Sequence, residues 1–252
     1  KDQVLIKSDS SPTYNFACVV DDALINITHI IRGDDHISNT PKQVILYQAL
    51  GCPVPEFAHL PLILGTEGGR LSKRTGATAL SDYRKMGYLP QALVNYLLLL
   101  GWSPGGNQEV IDTKEAIKKF DITDANKTAA TFDLEKLKWI NAQYIKSTKA
   151  KDLWEMLKPL CVEKKHSVDN FDSNYFLSIV KLFQERISTL ADFVDYSDFF
   201  FQEDITFTQE AHKRLGAKDY TKEFMLLTGR LEALEHFDCV GIENAFRLLV
   251  SE

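Results

Sequence analysis

The order of apolar and polar positions divides the chain into two parts with different periods. In the first part, short β-rich runs alternate with stretches of helical spacing. The runs lie at residues 4–7, 28–32 and 60–64, and the helical stretches at residues 14–21 and 39–50. Strands that alternate with helices pair in one direction, so this order predicts a parallel α/β sheet. Ligands of such sheets bind beyond the carboxyl ends of the strands.

The rest of the chain has helical periodicity almost throughout. Apolar residues recur three and four positions apart, and Ser, Thr or Asp stands near several of the starts. The helical stretches are residues 81–86, 90–100, 113–120, 134–142, 150–160, 174–196, 208–215, 221–234 and 242–250. Residues 161–172 are polar and predict a connector. The predicted fold class is therefore α/β and then mostly α.

Composition is that of a globular protein with a sizeable core. The chain has 252 residues, of which 44% are apolar and 25% are charged, and this length favours two domains over one. No apolar run approaches the ~20 residues that a membrane span requires, and the run at residues 93–100 predicts only a buried helix segment. The four cysteines are far apart and lack zinc spacing, which predicts reduced thiols in a cytosolic-type compartment. These cysteines are Cys18, Cys52, Cys161 and Cys239.

Charge is unevenly distributed along the chain. The net charge of −6 argues against a non-specific nucleic-acid coat. However, residues 166–252 carry 16 acidic and 8 basic side chains, whereas residues 109–165 carry 10 acidic and 12 basic ones. A nucleic acid could thus lie along the first two-thirds of the chain without meeting a net repulsive field. Scattered, solvated charge is the alternative interpretation.

The most distinctive chemistry lies at residues 70–74, with the sequence Arg-Leu-Ser-Lys-Arg. Three positive charges and a hydroxyl follow a Gly-Gly pair, which lets the backbone approach a ligand closely. Lysine as a movable point charge and arginine as a bidentate fork suit a polyphosphate. A solvated basic loop is the alternative for this segment taken alone.

Three motifs in order carry a resemblance to a known family. They are Ser-Pro-Thr-Tyr-Asn-Phe-Ala at residues 11–17, Ile-Arg-Gly-Asp-Asp-His at residues 31–36, and the basic segment at residues 70–74. This order resembles class I aminoacyl-tRNA synthetases, specifically the bacterial-type glutamyl-tRNA synthetases. Supporting stretches lie at residues 39–41, 59–62, 87–90, 101–104 and 132–137. The resemblance is close from residue 4 to about residue 147.

The resemblance implies the middle of a synthetase. Residues 1–75 would form the C-terminal half of a Rossmann-like catalytic domain, residues 76–148 a helical stem-contact domain, and residues 149–252 the first part of a helical anticodon-binding domain. The family's His-x-Gly-His signature is absent from this sequence and is expected upstream of residue 1. The last anticodon-binding module is expected after residue 252. The isolated chain is therefore expected to be inactive.

The implied activity is that of a glutamate–tRNA ligase. Glutamate attacks the α-phosphate of ATP to give glutamyl-adenylate and pyrophosphate, and the glutamyl group then passes to tRNA(Glu). Magnesium would accompany ATP, held mainly by phosphates and water rather than by protein. The resemblance also implies a cytoplasmic monomer with no membrane partner. Alternatives are a non-catalytic tRNA-binding piece, a helical scaffold with a relic nucleotide site, and a related glutaminyl-tRNA synthetase.

The resemblance assigns the nucleotide site to the basic segment and to two earlier positions. Lys73 is the predicted catalytic residue, since a cation placed beforehand stabilises the charge that gathers on the reacting phosphates. The predicted ATP-binding residues are Asp35, Ile63, Arg70, Leu71, Ser72, Lys73 and Arg74. A metal cluster at Asp34, Asp35 and His36 is disfavoured, because adjacent residues rarely point at one ion. No metal ligand is predicted.

The predicted glutamate-binding residues are Tyr14, Cys18 and Arg32. The Arg32 guanidinium suits bidentate binding of a carboxylate. An ion pair with Asp34 or Asp35 is the alternative for this arginine. Tyr14 could instead be a core aromatic of an amphipathic helix.

Binding of tRNA is predicted for the helical region, which would contact RNA shape and backbone. The candidate phosphate contacts are Lys114, Lys118, Lys119, Lys136 and Lys138, for which solvated helix surface is the alternative. Trp139, Trp154 and the three phenylalanines at residues 199–201 are predicted to be core rather than base-stacking residues.

Overall fold

The structure, a computed structural model, describes residues 2–69, 71, 79–164, 172–202, 207–216 and 219–250. The chain forms two compact units, Lys1–Phe201 and Gln202–Glu252. No helix in the described part of the chain combines the length and the apolar character that a membrane span requires.

The first unit contains four short strands and nine α-helices within the described residues. The strands are β1 (His29–Gly33), β2 (Glu56–Leu60), β3 (Ile63–Leu64) and β4 (Ala130–Thr131). The helices are α1 (Tyr14–Ile25), α2 (Thr40–Ala49), α3 (Leu80–Lys85), α4 (Pro90–Gly101), α5 (Thr113–Lys119), α6 (Leu134–Ser147), α7 (Ala150–Glu163), α8 (Ser173–Gln184) and α9 (Leu190–Ser197). The second unit contains α10 (Gln209–Leu215), α11 (Thr221–Glu232) and α12 (Cys239–Val250).

Two parallel strand pairs confirm the predicted α/β start, with differences at the first and third strands. β1 pairs with β2, and β3 pairs with β4. The strand predicted at residues 4–7 is wrong: the chain turns back at Ser10, whose φ is 65°, and Ile6 forms only an isolated bridge with Pro12. The run at residues 60–64 is divided between β2 and β3, because Pro61 has no N–H group to continue a ladder.

The helical part is confirmed, with one division that the sequence pattern did not predict. Residues 174–196 form two helices, α8 and α9, rather than one. The second helix begins at a capping box, in which Thr189 Oγ1 accepts from Asp192 N and the Asp192 carboxylate accepts from Thr189 N. The predicted connector at residues 161–172 begins later than expected, because α7 continues to Glu163. Residues 165–171 of that connector lie outside the described residues.

The main core of the first unit lies among α4, α6, α7, α8 and α9. Its fully buried members include Leu137, Leu157 and Phe193. The buried amide of Asn141 joins the start of α4 to the turn before α9, since it accepts from Leu89 N at 2.8 Å and donates to Ser188 O at 2.6 Å. These two hydrogen bonds therefore link α4, α6 and the turn before α9 within the first unit.

The aromatic residues divide between core and surface. Trp154 and Phe201 are buried and each stacks on Phe176, which confirms their prediction as core residues. Trp139 is 46% exposed and Phe199 is 51% exposed, so the core prediction is wrong for these two. Trp139 is exposed because it lies between the buried α6 positions Leu137 and Ile140, on the outward side of the helix.

Gly87 lies where two backbone segments come very close together. Its φ is +82°, and a Cβ there would lie 2.5 Å from Ala191 N and 2.7 Å from Leu190 N. Gly87→Ala is therefore expected to lower the free energy of unfolding by ~3 kcal/mol, from left-handed strain plus displaced backbone. Gly105→Ala is the matched control, because Gly105 has a φ of +92° and nothing within 4 Å of its Cβ position. Urea denaturation should show the larger loss for Gly87→Ala; equal losses would contradict the role of this contact.

Candidate functional site

A small second core positions the first predicted site. Val19 of α1 packs with Leu46 and Tyr47 of α2, and all three are buried. This packing leaves Tyr14, at the start of α1, 56% exposed and Cys18, one turn later, partly buried. Tyr14 is thus a surface residue, and its alternative as a core aromatic is not supported.

Arg32 lies at the carboxyl end of β1, and its guanidinium contacts neutral side chains. Arg32 Nη2 donates to Thr40 Oγ1 at 2.7 Å, and Arg32 Nε donates to His59 Nε2 at 3.5 Å. Its Cζ lies 5.4 Å from the centre of the Phe57 ring, within cation–π distance. Within the described residues no carboxylate lies at ion-pair distance from this guanidinium, so the pair with Asp34 or Asp35 is not formed.

Tyr14 and Arg32 both lie close enough to Cys18 to influence its thiol. Burial, and then the nearby Asp22 carboxylate, raise the pKa of the Cys18 thiol, while the Arg32 charge and a hydrogen bond with Tyr14 oppose that rise. The thiol therefore stays protonated at neutral pH, and its Sγ donates to Asp22 Oδ2 at 3.5 Å. The structure thus brings the three predicted glutamate-binding residues together. Cys18, however, directs its proton toward α1 itself.

Asp22 also affects the side chain of Tyr47, which lies beside this site. Tyr47 Oη donates to Asp22 Oδ2 at 3.5 Å, and burial together with the Asp22 charge raises the pKa of Tyr47 to about 12. Tyr47 consequently stays neutral in the physiological range and serves as a fixed donor. Asp22 thus accepts from both Cys18 and Tyr47.

The turn that follows β1 brings an acidic residue and a histidine to the site edge. Asp35 Oδ1 lies 4.0 Å from His36 Nε2, and the His36 ring lies 6.0 Å from the Tyr14 ring. A Cβ at Gly33 would lie 2.6 Å from Asp35 Oδ1, so a larger residue there would require the Asp35 side chain to move. Among the residues that the structure describes, no group of three His, Cys, Asp or Glu side chains could hold a metal ion.

The base of the basic segment is anchored to β3. Gly65 N donates to Gly69 O at 2.7 Å across a turn that contains Gly68, whose φ is +78°. Leu71 N then donates to Ile63 O at 3.2 Å, which returns the chain to the side of β3. The predicted residues Arg70, Ser72, Lys73 and Arg74 lie outside the described residues.

Two cavities adjoin the segment between β2 and β3. One, of about 250 Å³, is mostly apolar, and it is lined by Ile63 together with residues of α4 such as Leu98. The other, of about 360 Å³, is lined by Asp34, His59 and Lys127 among others. The second cavity therefore connects the end of β1 to the loop before β4 and offers both signs of charge.

The predicted tRNA-contacting lysines lie on α5 and α6. Lys119 pairs with Glu115 at 2.7 Å, and Lys136 pairs with Glu109 at 2.8 Å. Lys114 and Lys118 are exposed, and Lys138 is partly exposed. The Lys136–Glu109 pair joins the first turn of α6 to the segment that leads into α5.

Two residues beside Arg32 were missed as site residues by sequence reasoning, Thr40 and His59. Thr40 was identified only as part of a helix start and His59 only as part of a matching stretch. The signal that could have found His59 is the register of the parallel pair, in which Arg32 lies opposite His59. That register becomes known only once the strands are paired.

Comparison with known protein families shows to which family this chain belongs. Residues 1–139 match the family model described as tRNA synthetases class I (E and Q), catalytic domain, and residues 152–252 match an anticodon binding domain. The chain belongs to the class I tRNA synthetases (E and Q). The predicted family and fold class are thereby confirmed.

Relatives of this chain in the synthetase family are named glutamate–tRNA ligases. The chain is 43% identical to Glutamate–tRNA ligase 2 of Caldicellulosiruptor saccharolyticus, over 98% of this chain and 51% of that protein. It is 42% identical to the Geobacter sulfurreducens ligase, over 100% of this chain and 53% of that protein. The crystal structure of the Elizabethkingia meningosepticum glutamate tRNA ligase in complex with its amino acid matches with a TM-score of 0.77 and 34% identity, over 99% of this chain and 53% of that one. The chain thus spans about half the length of the relatives it matches.

Proposed function

We propose that this chain is part of an enzyme that attaches L-glutamate to tRNA(Glu), with ATP and through a glutamyl-adenylate. The observation that carries the proposal is the Arg32 guanidinium at the end of β1, beside Tyr14 and Cys18, with neutral partners only among the described residues. The relatives' names point to the same activity.

The positive charge of Arg32 favours an amino acid with a side-chain carboxylate over one with a side-chain amide. A guanidinium binds a carboxylate through two charge-assisted hydrogen bonds, whereas a side-chain amide offers it no charge. Because its described partners are neutral, the Arg32 charge stays available for a substrate carboxylate. Glutamate is therefore the proposed amino acid, and a glutaminyl enzyme is the less favoured alternative.

The nucleotide would lie where the basic segment leaves β3. The hydrogen bond from Leu71 N to Ile63 O supports this location, because it holds the segment beside β3. Lys73 would stabilise the charge that develops on the phosphates, with Arg70, Ser72 and Arg74 as further contacts. Asp35 and Ile63 would contact the nucleoside, and Mg²⁺ would arrive with ATP. We place the reaction in a cytoplasmic monomer, in keeping with the four free thiols.

Binding of tRNA would use the lysines of α5 and α6. Lys118→Ala is expected to weaken tRNA(Glu) binding and to reduce the slope of log affinity against log salt by about 0.7–0.9, because one phosphate contact is lost. Lys181→Ala, which removes an exposed lysine of α8, is the matched control. A filter-binding series at several salt concentrations measures both slopes. Equal slopes for Lys118→Ala and the unsubstituted chain would contradict a phosphate contact of Lys118 and would identify it as solvated surface.

The proposed function is tested with a full-length ligase that carries residues 1–252. The assay measures aminoacylation of tRNA(Glu) with glutamate and, in parallel, with glutamine. Glutamylation that depends on ATP, with kcat/KM for glutamate at least ~10²-fold above that for glutamine, is the expected result. A preference for glutamine, or no charging of tRNA(Glu), would refute the proposal.

A further inference from the structure

Two neutral side chains fix the Arg32 guanidinium along one of its edges. Arg32 Nη2 donates to Thr40 Oγ1 at 2.7 Å, and Arg32 Nε donates to His59 Nε2 at 3.5 Å. Thr40 Oγ1 itself lies 3.0 Å from His59 Nε2. The three side chains therefore form one hydrogen-bonded cluster.

This cluster is built on regular elements rather than on loops. Arg32 and His59 lie opposite each other in the β1–β2 register, and Thr40 is the first residue of α2. Phe57 precedes His59 by two residues and thus shares its side of β2, with its ring 5.4 Å from Arg32 Cζ. Groups held by strands and a helix start keep a guanidinium in one orientation better than loop residues do.

The positions of these hydrogen bonds decide which edge of the Arg32 guanidinium remains available to bind a ligand. A guanidinium can offer two parallel N–H groups through its Nε/Nη2 edge or through its Nη1/Nη2 edge. Thr40 and His59 occupy the first edge. Within the described part of the chain, no hydrogen bond reaches Nη1. The second edge is therefore the one presented to a ligand.

We propose that Thr40 and His59 are positioning residues, which hold the Arg32 guanidinium so that its Nη1/Nη2 edge faces the substrate carboxylate. This inference rests on the proposed role of Arg32 in binding glutamate. Neither residue needs to contact the substrate, because each acts through Arg32. Binding of glutamate then does not require a flexible arginine to be ordered first.

The positions of the protons on Thr40 and His59 follow from the fact that a guanidinium can only donate hydrogen bonds. Arg32 can only donate, so His59 Nε2 must be the acceptor, and the neutral imidazole carries its proton on Nδ1. Thr40 accepts from Arg32 and has one proton of its own, which points to His59 Nε2 at 3.0 Å or to His36 O at 3.3 Å. The cluster contains no carboxylate, so it orients the guanidinium without neutralising it.

The test uses Thr40→Val, which keeps the shape of the side chain and removes the hydroxyl, in a full-length ligase that carries residues 1–252. KM for glutamate is expected to rise about tenfold, with kcat and KM for ATP within about twofold. Thr40→Ser restores the hydroxyl and should restore KM. His59→Leu should raise KM for glutamate in the same way as Thr40→Val.

Two controls separate positioning from a general structural role. Thr113→Val changes an exposed threonine at the start of α5, and His29→Leu changes an exposed histidine of β1. In an Arg32→Lys background, Thr40→Val should cause no further rise in KM, because the lysine lacks the edge that Thr40 holds.

Each outcome decides between the two proposals. An unchanged KM in Thr40→Val, or an equal rise in the Arg32→Lys background, would overturn the positioning role while the proposed function stands. A lower melting temperature with equal losses in every kinetic parameter would assign Thr40 to stability and would also overturn it. If the unsubstituted ligase does not use glutamate, the proposed function fails, and the positioning role fails with it.

Discussion

Lys73→Ala is expected to lower kcat for glutamate-dependent ATP–pyrophosphate exchange by about 10²–10³-fold in a full-length ligase that carries this chain. The adenylation transition state gathers negative charge on the α-phosphate and on the departing pyrophosphate. A lysine already in place stabilises that charge more than it stabilises bound ATP. The loss should therefore fall on kcat rather than on KM for ATP.

Lys85→Ala is the matched control for this variant, since Lys85 is an exposed lysine of the nearby helix α3. It removes the same charge and should leave kcat within about twofold of the unsubstituted enzyme. Exchange rates and KM values for ATP are measured for both variants under one salt condition. If Lys73→Ala and Lys85→Ala have the same kcat, the catalytic role of Lys73 is wrong.

Arg32→Ala is expected to lower kcat/KM for glutamate by about 10²–10³-fold, because it leaves the bound carboxylate without its charged partner. Arg32→Lys keeps the charge but loses the fork, so it should fall between Arg32→Ala and the unsubstituted enzyme. KM for ATP should change little in either variant. Steady-state aminoacylation at varied glutamate measures these effects.

Arg84→Lys serves as the control, because Arg84 is an exposed arginine of α3. The substitution should leave kcat/KM for glutamate unchanged. An Arg32→Lys variant as active as the unsubstituted enzyme would show that bidentate binding is not required. An Arg32→Ala variant with normal KM for glutamate would remove Arg32 from the site altogether.

Local chemistry made the elements next to the site predictable from the sequence. Pro41 near the start of α2 and the apolar spacing of α4 each identify an element with little ambiguity. The grouping of Arg32 with Tyr14 and Cys18 came from the family resemblance, and the structure places the three residues together. Such features depend on neighbours in sequence or on a shared motif.

Other features depend on partners that are distant in sequence. β4 has only two residues, Ala130 and Thr131, and is a strand only because β3 lies beside it. Ile6 has the residue type of a strand, yet the described structure gives it only an isolated bridge. The hydroxyl of Thr40 becomes part of the site only once β1, β2 and α2 have packed. Periodicity alone could not reveal these contacts.

The division between α8 and α9 did have a local signal. Thr189 and Asp192 stand three residues apart, as a capping box requires, but the continuous apolar spacing on both sides concealed them. The buried amide of Asn141 had no comparable signal, since its partners Leu89 and Ser188 are far away in the sequence.

The most direct measurement is a crystal structure of the full-length ligase with a non-hydrolysable glutamyl-adenylate analogue. The account predicts that the glutamyl side-chain carboxylate binds the Nη1/Nη2 edge of Arg32 at about 2.7–2.9 Å, with Lys73 Nζ within hydrogen-bond distance of the phosphate mimic. A bound analogue whose carboxylate contacts another residue, with Arg32 and Lys73 facing different clefts, would contradict it.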